Sequence, residues 1–271
     1  MYMVVIGLIG SFFSYVSIEL SRFIIAVCEK ECGGCNQILT CFARKKIAWR
    51  DSDYLSEWML VSYLKVRKKC QYYSGCRTHE KVICFTGAFF LFLCSFWSKG
   101  FGLEGMILGL AAILLFFLSV VDWNTQYIPM ECSIIIFICG LIHLVMDLSN
   151  WLDYVIGLIA VSGFLLLVNW IATPMLRRRY EGELELDSVI GDGDIKLMAA
   201  TGLLLGWKLN FLALGIGCIA GSVIHLILMK IKGSERQFAL GPYLSLGVYI
   251  TMICGEQLIS WYLNVMGVTP Y

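Results

Sequence analysis

Eight long apolar runs, at roughly 3–27, 82–98, 103–122, 132–148, 152–173, 195–207, 210–229 and 239–263, leave this 271-residue chain few folds to choose from. Most of them approach or exceed the ~20 residues that carry an α-helix across a bilayer core of ~30 Å. A composition that is 59% hydrophobic and only 15% charged excludes a water-soluble globule. The expected fold is an all-α membrane protein, a polytopic bundle of about eight transmembrane helices, with the lipid bilayer as its first partner. Nucleic acid is not an expected partner.

The basic residues orient the bundle. Eleven Lys and Arg fall in 28–81, three in 174–190 (Arg177, Arg178, Arg179) and three in 230–238, whereas the alternate loops hold only Lys99 and Lys208. The positive-inside rule therefore puts the N-terminus outside and the long first loop in the cytoplasm of a cell in whose inner (plasma) membrane the protein sits. Met1-Tyr-Met-Val4 carries no positive n-region, and Glu19 and Arg22 interrupt the end of the first run. That run is expected to be a permanent anchor rather than a cleaved signal peptide. Three regions follow: a first transmembrane helix over 1–27, a cytoplasmic Cys-rich insert over 28–81, and a membrane-embedded domain over 82–271.

Within that domain, Ile190-Gly-Asp-Gly-Asp-Ile-Lys-Leu197 sets two carboxylates and a lysine at the mouth of an apolar run. An ionisable group at bilayer depth is costly and points to function. Gly191 and Gly193 let the backbone turn tightly around Asp192 and Asp194. From Ile195 to Trp207 the run has thirteen residues, about 20 Å of helix against a core of roughly 30 Å. If Trp207 and Lys208 mark the outer surface, Asp194 is drawn below the cytoplasmic surface. A second acid, Asp122, ends the run that begins at Leu103 and lies at the same membrane face. Two carboxylates sharing one proton can activate water and protonate a leaving amide nitrogen. Asp122 ends its helix and Asp194 begins its own, so the helix dipoles favour Asp122 as the holder of the shared proton. Three alternatives stand beside this reading. One is a polar loop that happens to border a helix. Another is a proton- or ion-coupled transporter, which predicts carboxylates spread across the bilayer and two related halves; here they collect at one face and no repeat is obvious. The third is a zinc-dependent membrane scaffold to which both acids are dispensable.

Six of the twelve cysteines lie in or beside the first loop: Cys28, Cys32, Cys35, Cys41, Cys70 and Cys76. Thiols there stay reduced, and Cys32-Gly-Gly-Cys35 has the spacing of two ligands of a tetrahedral zinc site. Cys70 and Cys76 are the expected partners of that pair, with Cys41 an alternative fourth ligand. A metal-free insert is the competing reading. The other six cysteines lie in apolar runs and are expected to pack as small hydrophobes.

Gly191-Asp-Gly-Asp-Ile-Lys-Leu-Met-Ala-Ala-Thr-Gly202 resembles the G-x-G-D-x-K-L-x-A-x-x-G signature of type IV prepilin peptidases, the prepilin leader peptidase/N-methyltransferase family of membrane aspartic proteases. Asp122 with Ile128-Pro129 is similar to the family's first catalytic motif, and Gly10-Ser11-Phe12 and Gly241-Pro242-Tyr243 extend the likeness over nearly the whole chain. The resemblance implies an aspartic endopeptidase that removes the basic leader from prepilins or pseudopilins at the cytoplasmic face. It makes Asp122 and Asp194 the catalytic dyad, puts Asp192 at a variable place, and leaves Lys196 either to tune the dyad or to bind an acidic group of the substrate. Methyl transfer from S-adenosylmethionine is a second activity of many members. Departures from the family pattern touch that activity and the zinc site: Ser14 stands where the family carries Asn, Tyr73 stands at the fourth cysteine's place, and the segment around Arg50–Tyr54 lacks its usual proline.

Overall fold

Seven of the eight apolar runs fall within the residues described by the computed structural model, 78–100, 102–125, 128–179, 188–232 and 239–267, and each is an α-helix. In chain order they are α1 (Thr78–Lys99), α2 (Leu103–Thr125), α3 (Met130–Met146), α4 (Trp151–Arg179), α5 (Asp192–Leu205), α6 (Trp207–Lys232) and α7 (Gly241–Val265), with a 3-10 turn, Leu148–Asn150, before α4. No strand occurs among the described residues. The first run at 3–27 and nearly all of the Cys-rich insert lie outside them; α1 begins at Thr78, inside the insert's expected limit.

Glycine and proline set the boundaries between helices. Gly100 follows α1 at φ 79°, Pro129 precedes α3, and Gly241-Pro242 opens α7, where proline's missing N–H costs nothing in the first turn. Gly206, also at φ 79°, ends α5 with its N–H on the Gly202 carbonyl at 2.9 Å. A left-handed residue is needed there, and glycine adopts that conformation without a Cβ penalty.

Among the described residues, three helical stretches are long and apolar enough to cross a membrane: Leu103–Trp123, Leu148–Arg178 and Trp207–Lys230. The protein is thus a multi-pass membrane protein by length and composition. In α2, 67% of the most apolar window is buried, against 17% in α4 and 28% in α6. That contrast makes α2 the inner helix: Ile113, Leu114, Leu115, Phe117, Leu118 and Val121 are almost fully enclosed. Helices α1, α3 and α7 pack around it, and α5 sits among α3, α4 and α6. The outer side of α4 presents Ile159, Leu166, Leu167 and Trp170 outward, as a lipid-facing helix must.

The shortness of α5 survives in the structure. It has 14 residues, about 21 Å of helix, well under a bilayer core. Its far end is fixed by close backbone contact, because a Cβ on Gly157 of α4 or on Gly202 of α5 would collide with the other's carbonyl oxygen. Fully buried Asn210 of α6 donates to the Met198 carbonyl at 2.9 Å and accepts from Thr201 Oγ1 at 3.0 Å. Trp207 Nε1 donates to Asp153 Oδ1 at 3.2 Å, and Lys208 lies 3.8 Å from the same carboxylate. Gly217 and Gly221, one turn apart on α6, permit close packing against Leu244 and Tyr243 of α7.

The Gly157 contact generates a stability prediction. Gly157→Leu is expected to cost about 1–3 kcal/mol by overpacking, read as a lowered thermal unfolding midpoint in detergent. Gly163→Leu on the same helix, where nothing lies within 4 Å of an added Cβ, should leave that midpoint unchanged.

Candidate functional site

Asp122 comes from the last turn of α2 and Asp194 from the first turn of α5, two elements far apart in sequence that end at the same pole of the bundle. Both are buried, at 4% and 8% exposure, in a chain where most charged side chains reach the surface. Asp194 feels the charge of Asp122. Among the described residues neither acid has an ion-pair partner, and Asp122 Oδ2 and Asp194 Oδ1 accept no hydrogen bond. A buried carboxylate left this way is expensive. Two of them side by side form an arrangement that packing alone would not select.

The surrounding backbone is shaped to these groups. The Gly241 N–H, at the start of α7, donates to the Asp122 carboxylate. A Cβ on Gly241 would stand 2.5 Å from Asp122 Oδ2 and 3.1 Å from Ile128 Cδ1. Only glycine lets α7 come this near. One on Gly193 would stand 2.8 Å from Ile128 Cβ, and one on Gly191 would stand 3.1 Å from Asp194 Oδ2. Ile128, buried at 9% exposure, is therefore wedged between the two glycine-bearing helix starts. Gly241 and Ile128 entered the sequence reading only through the family resemblance. The approach of Gly241 to Asp122, and of Ile128 to Gly193 and Gly241, shows what they do there, and no local pattern announces it.

The second helix start alters one expectation. Asp122 does lie at the C-terminal turn of its own helix, but its carboxylate also faces the N-terminus of α7, so both acids meet the positive end of a helix dipole. The dipole asymmetry that singled out Asp122 as the proton holder is removed. Lys196 departs too: it is exposed, and two residues along a helix point to different sides, so it does not reach back to buried Asp194. Asp192 is likewise exposed, consistent with a secondary place.

A cavity of about 550 Å³ lies at the pole opposite the two acids, bordered by Lys99, Glu104, His143, Asp147 and Glu256, and neither acid lines it. There Asp147 accepts from Tyr154 Oη at 2.9 Å and Asn150 Nδ2 at 3.0 Å, bonds that hold its carboxyl below the usual carboxylate range. Among the described residues no group of three or more His, Cys, Asp or Glu is arranged to hold a metal. Cys32, Cys35, Cys41, Cys70 and Cys76 lie outside those residues, as do Gly10-Ser11-Phe12 and Ser14. Cys132 and Cys139 are buried in the core, where small hydrophobes belong.

With this geometry in view, the comparisons with known proteins converge. Residues 109–226, which carry both acids, match the Type IV leader peptidase family. A "Prepilin leader peptidase/N-methyltransferase" of Legionella pneumophila is 30% identical over 176 residues, 64% of this chain and 58% of that protein. Proteins of the same description from Pectobacterium carotovorum subsp. carotovorum and Pseudomonas putida are 28% and 26% identical, over 78% and 92% of this chain and 71% and 80% of their own length. The chain thus spans a little over half the length of the Legionella relative. No solved structure matches it significantly. The transporter expectation finds no support, since the matched family is a peptidase and the buried acids gather at one pole.

The pairing of the acids predicts how the protein responds to losing one. Asp122→Asn and Asp194→Asn should each fold and gain about 0.5–2 kcal/mol, as neutralising a strained site commonly does. Thermal unfolding in detergent reads this; a fall of several degrees in either variant would mark that carboxylate as structural.

Proposed function

We propose, from the match of residues 109–226 to the Type IV leader peptidase family, that this chain is a membrane aspartic endopeptidase cleaving the basic leader from prepilins or pseudopilins. The observation that carries this reading is the pair of buried carboxylates without ion-pair partners, Asp122 and Asp194, brought together from α2 and α5. One ionised carboxylate takes a proton from water as the oxygen attacks the scissile carbonyl carbon. The other, protonated, gives its proton to the amide nitrogen as the C–N bond breaks. The dyad then holds the single proton it began with and is ready for another turnover. Gly241 supplies a backbone donor to Asp122, and Ile128 fixes the spacing of the two helix starts and excludes water from the apolar side.

In this reading the bundle has about eight spanning helices, with the described seven as its membrane-embedded peptidase domain, the 1–27 run as an anchor and 28–81 as a cytoplasmic insert. The inner membrane is its location and the acidic pole faces the cytoplasm. That orientation follows from the basic residues at that pole, Arg177, Arg178, Lys230 and Lys232, against Lys99 and Lys208 at the other. The names of the relatives support methyl transfer from S-adenosylmethionine as a second activity. The chemistry of Cys32-Gly-Gly-Cys35 with Cys70 and Cys76 or Cys41 supports a structural zinc in the insert.

Two experiments test the reading. On co-expression with a prepilin, Asp122→Asn and Asp194→Asn should each abolish leader removal while accumulating in membranes, and Asp192→Asn should retain most of it. Normal processing by either of the first two removes the dyad. Metal analysis of protein purified without chelator should find about one zinc per chain, lost in Cys32→Ser; absence of zinc would return the insert to a metal-free element.

A further inference from the structure

Asn169 belongs to neither the motifs nor the dyad, yet its side chain ties the approach to α5 to the bundle. It lies on α4, half-buried. Its carboxamide oxygen accepts the Val189 N–H at 2.9 Å, the Ile190 N–H at 3.1 Å and the Thr173 hydroxyl at 3.1 Å. Three donors on one atom fix which end of the amide is the oxygen, since the nitrogen cannot accept.

The bonds matter because of where Val189 and Ile190 stand. They lie in the non-helical approach to α5, so neither N–H has a helical carbonyl to bond. Gly191, the residue that caps α5, has no side chain, and α5 accordingly lacks a side-chain N-cap. The direction in which α5 starts is therefore set from upstream. Asp194 sits on that first turn, with its N–H on the Gly191 carbonyl at 3.1 Å and its Oδ2 3.1 Å from where a Gly191 Cβ would be. A displacement of 189–191 moves Asp194 directly. α5 is held tightly at its far end by Gly157, Asn210 and Trp207; at the near end, Asn169 supplies the corresponding side-chain tether.

We infer that Asn169 is a positioning residue for Asp194: by clasping the backbone of Val189 and Ile190 it holds the first turn of α5 where Asp194 can work with Asp122. The tether joins positions twenty residues apart, so it fixes the loop independently of the intervening acidic stretch of sequence. This inference rests on the peptidase reading and adds to it a residue outside both family motifs.

The test is steady-state cleavage of a prepilin by the full-length protein in membranes, comparing the parent with Asn169→Leu, Asn169→Asp and Asp194→Asn. Asn169→Leu keeps the volume and removes the acceptor. It should lower kcat at least about tenfold, as small misplacements of a reacting group do, with KM within about twofold. Asn169→Asp keeps an acceptor oxygen in place and should retain most of the rate, whereas a merely space-filling role predicts near-parental rates in both the leucine and the aspartate variant. If the leucine variant does not accumulate, Asn169→Gln sets the same oxygen one methylene further out, and the same selective loss of kcat is expected. Amide hydrogen exchange over 188–191 should be faster in the leucine or glutamine variant. Parental kcat and parental exchange in those variants, alongside an inactive Asp194→Asn, would overturn the role of Asn169 and leave the peptidase intact. An active Asp194→Asn would instead overturn the dyad and, with it, this inference.

Discussion

A helix shorter than a bilayer core is thick governs this structure. Fourteen residues give α5 about 21 Å against a hydrocarbon core of roughly 30 Å, and its apolar end is locked to α4 and α6 by Gly202, Asn210 and Trp207. Its charged end must then stop inside the protein. Asp194 is buried because the chain has nowhere further to take it, and the cost of that placement is what makes the position worth explaining.

Burial alone would leave one isolated acid. Glycine turns it into a pair, since Gly193 and Gly241 bring two helix starts onto opposite sides of Ile128, and the second of those starts carries a backbone donor to Asp122. The dipoles of α5 and α7 offset part of the cost of charge at this pole, by about 0.3–1 kcal/mol each. That is small beside the cost of burying a carboxylate, so the pair remains under tension. Tension of this kind is how a site keeps one proton shared between two acids.

The arrangement also separates two kinds of residue that a motif treats alike. Asp192, Asp194 and Lys196 are neighbours in sequence, but helix geometry sends Asp194 inward and the other two to the surface. Asn169 and Ile128 lie far from the acidic turn along the chain and touch the elements that hold it.

Hydropathy and length were enough to read the helices from sequence: the described runs all became helices close to their expected limits, because a 20-residue apolar run in a membrane has one low-cost backbone solution. The two acids were legible too, since a carboxylate at the end of an apolar run is a cost that sequence displays openly. Their company was not legible. That Gly241 would donate to Asp122, that Ile128 would wedge between two glycines, that Lys196 would face outward, and that Asn169 would bond a backbone twenty residues on all depend on which helix lies beside which. Membrane helices are alike in hydrophobicity, so the choice of neighbours is made by the fit of small residues and by a few buried hydrogen bonds. Those are contacts between distant positions, and only the folded bundle brings them together.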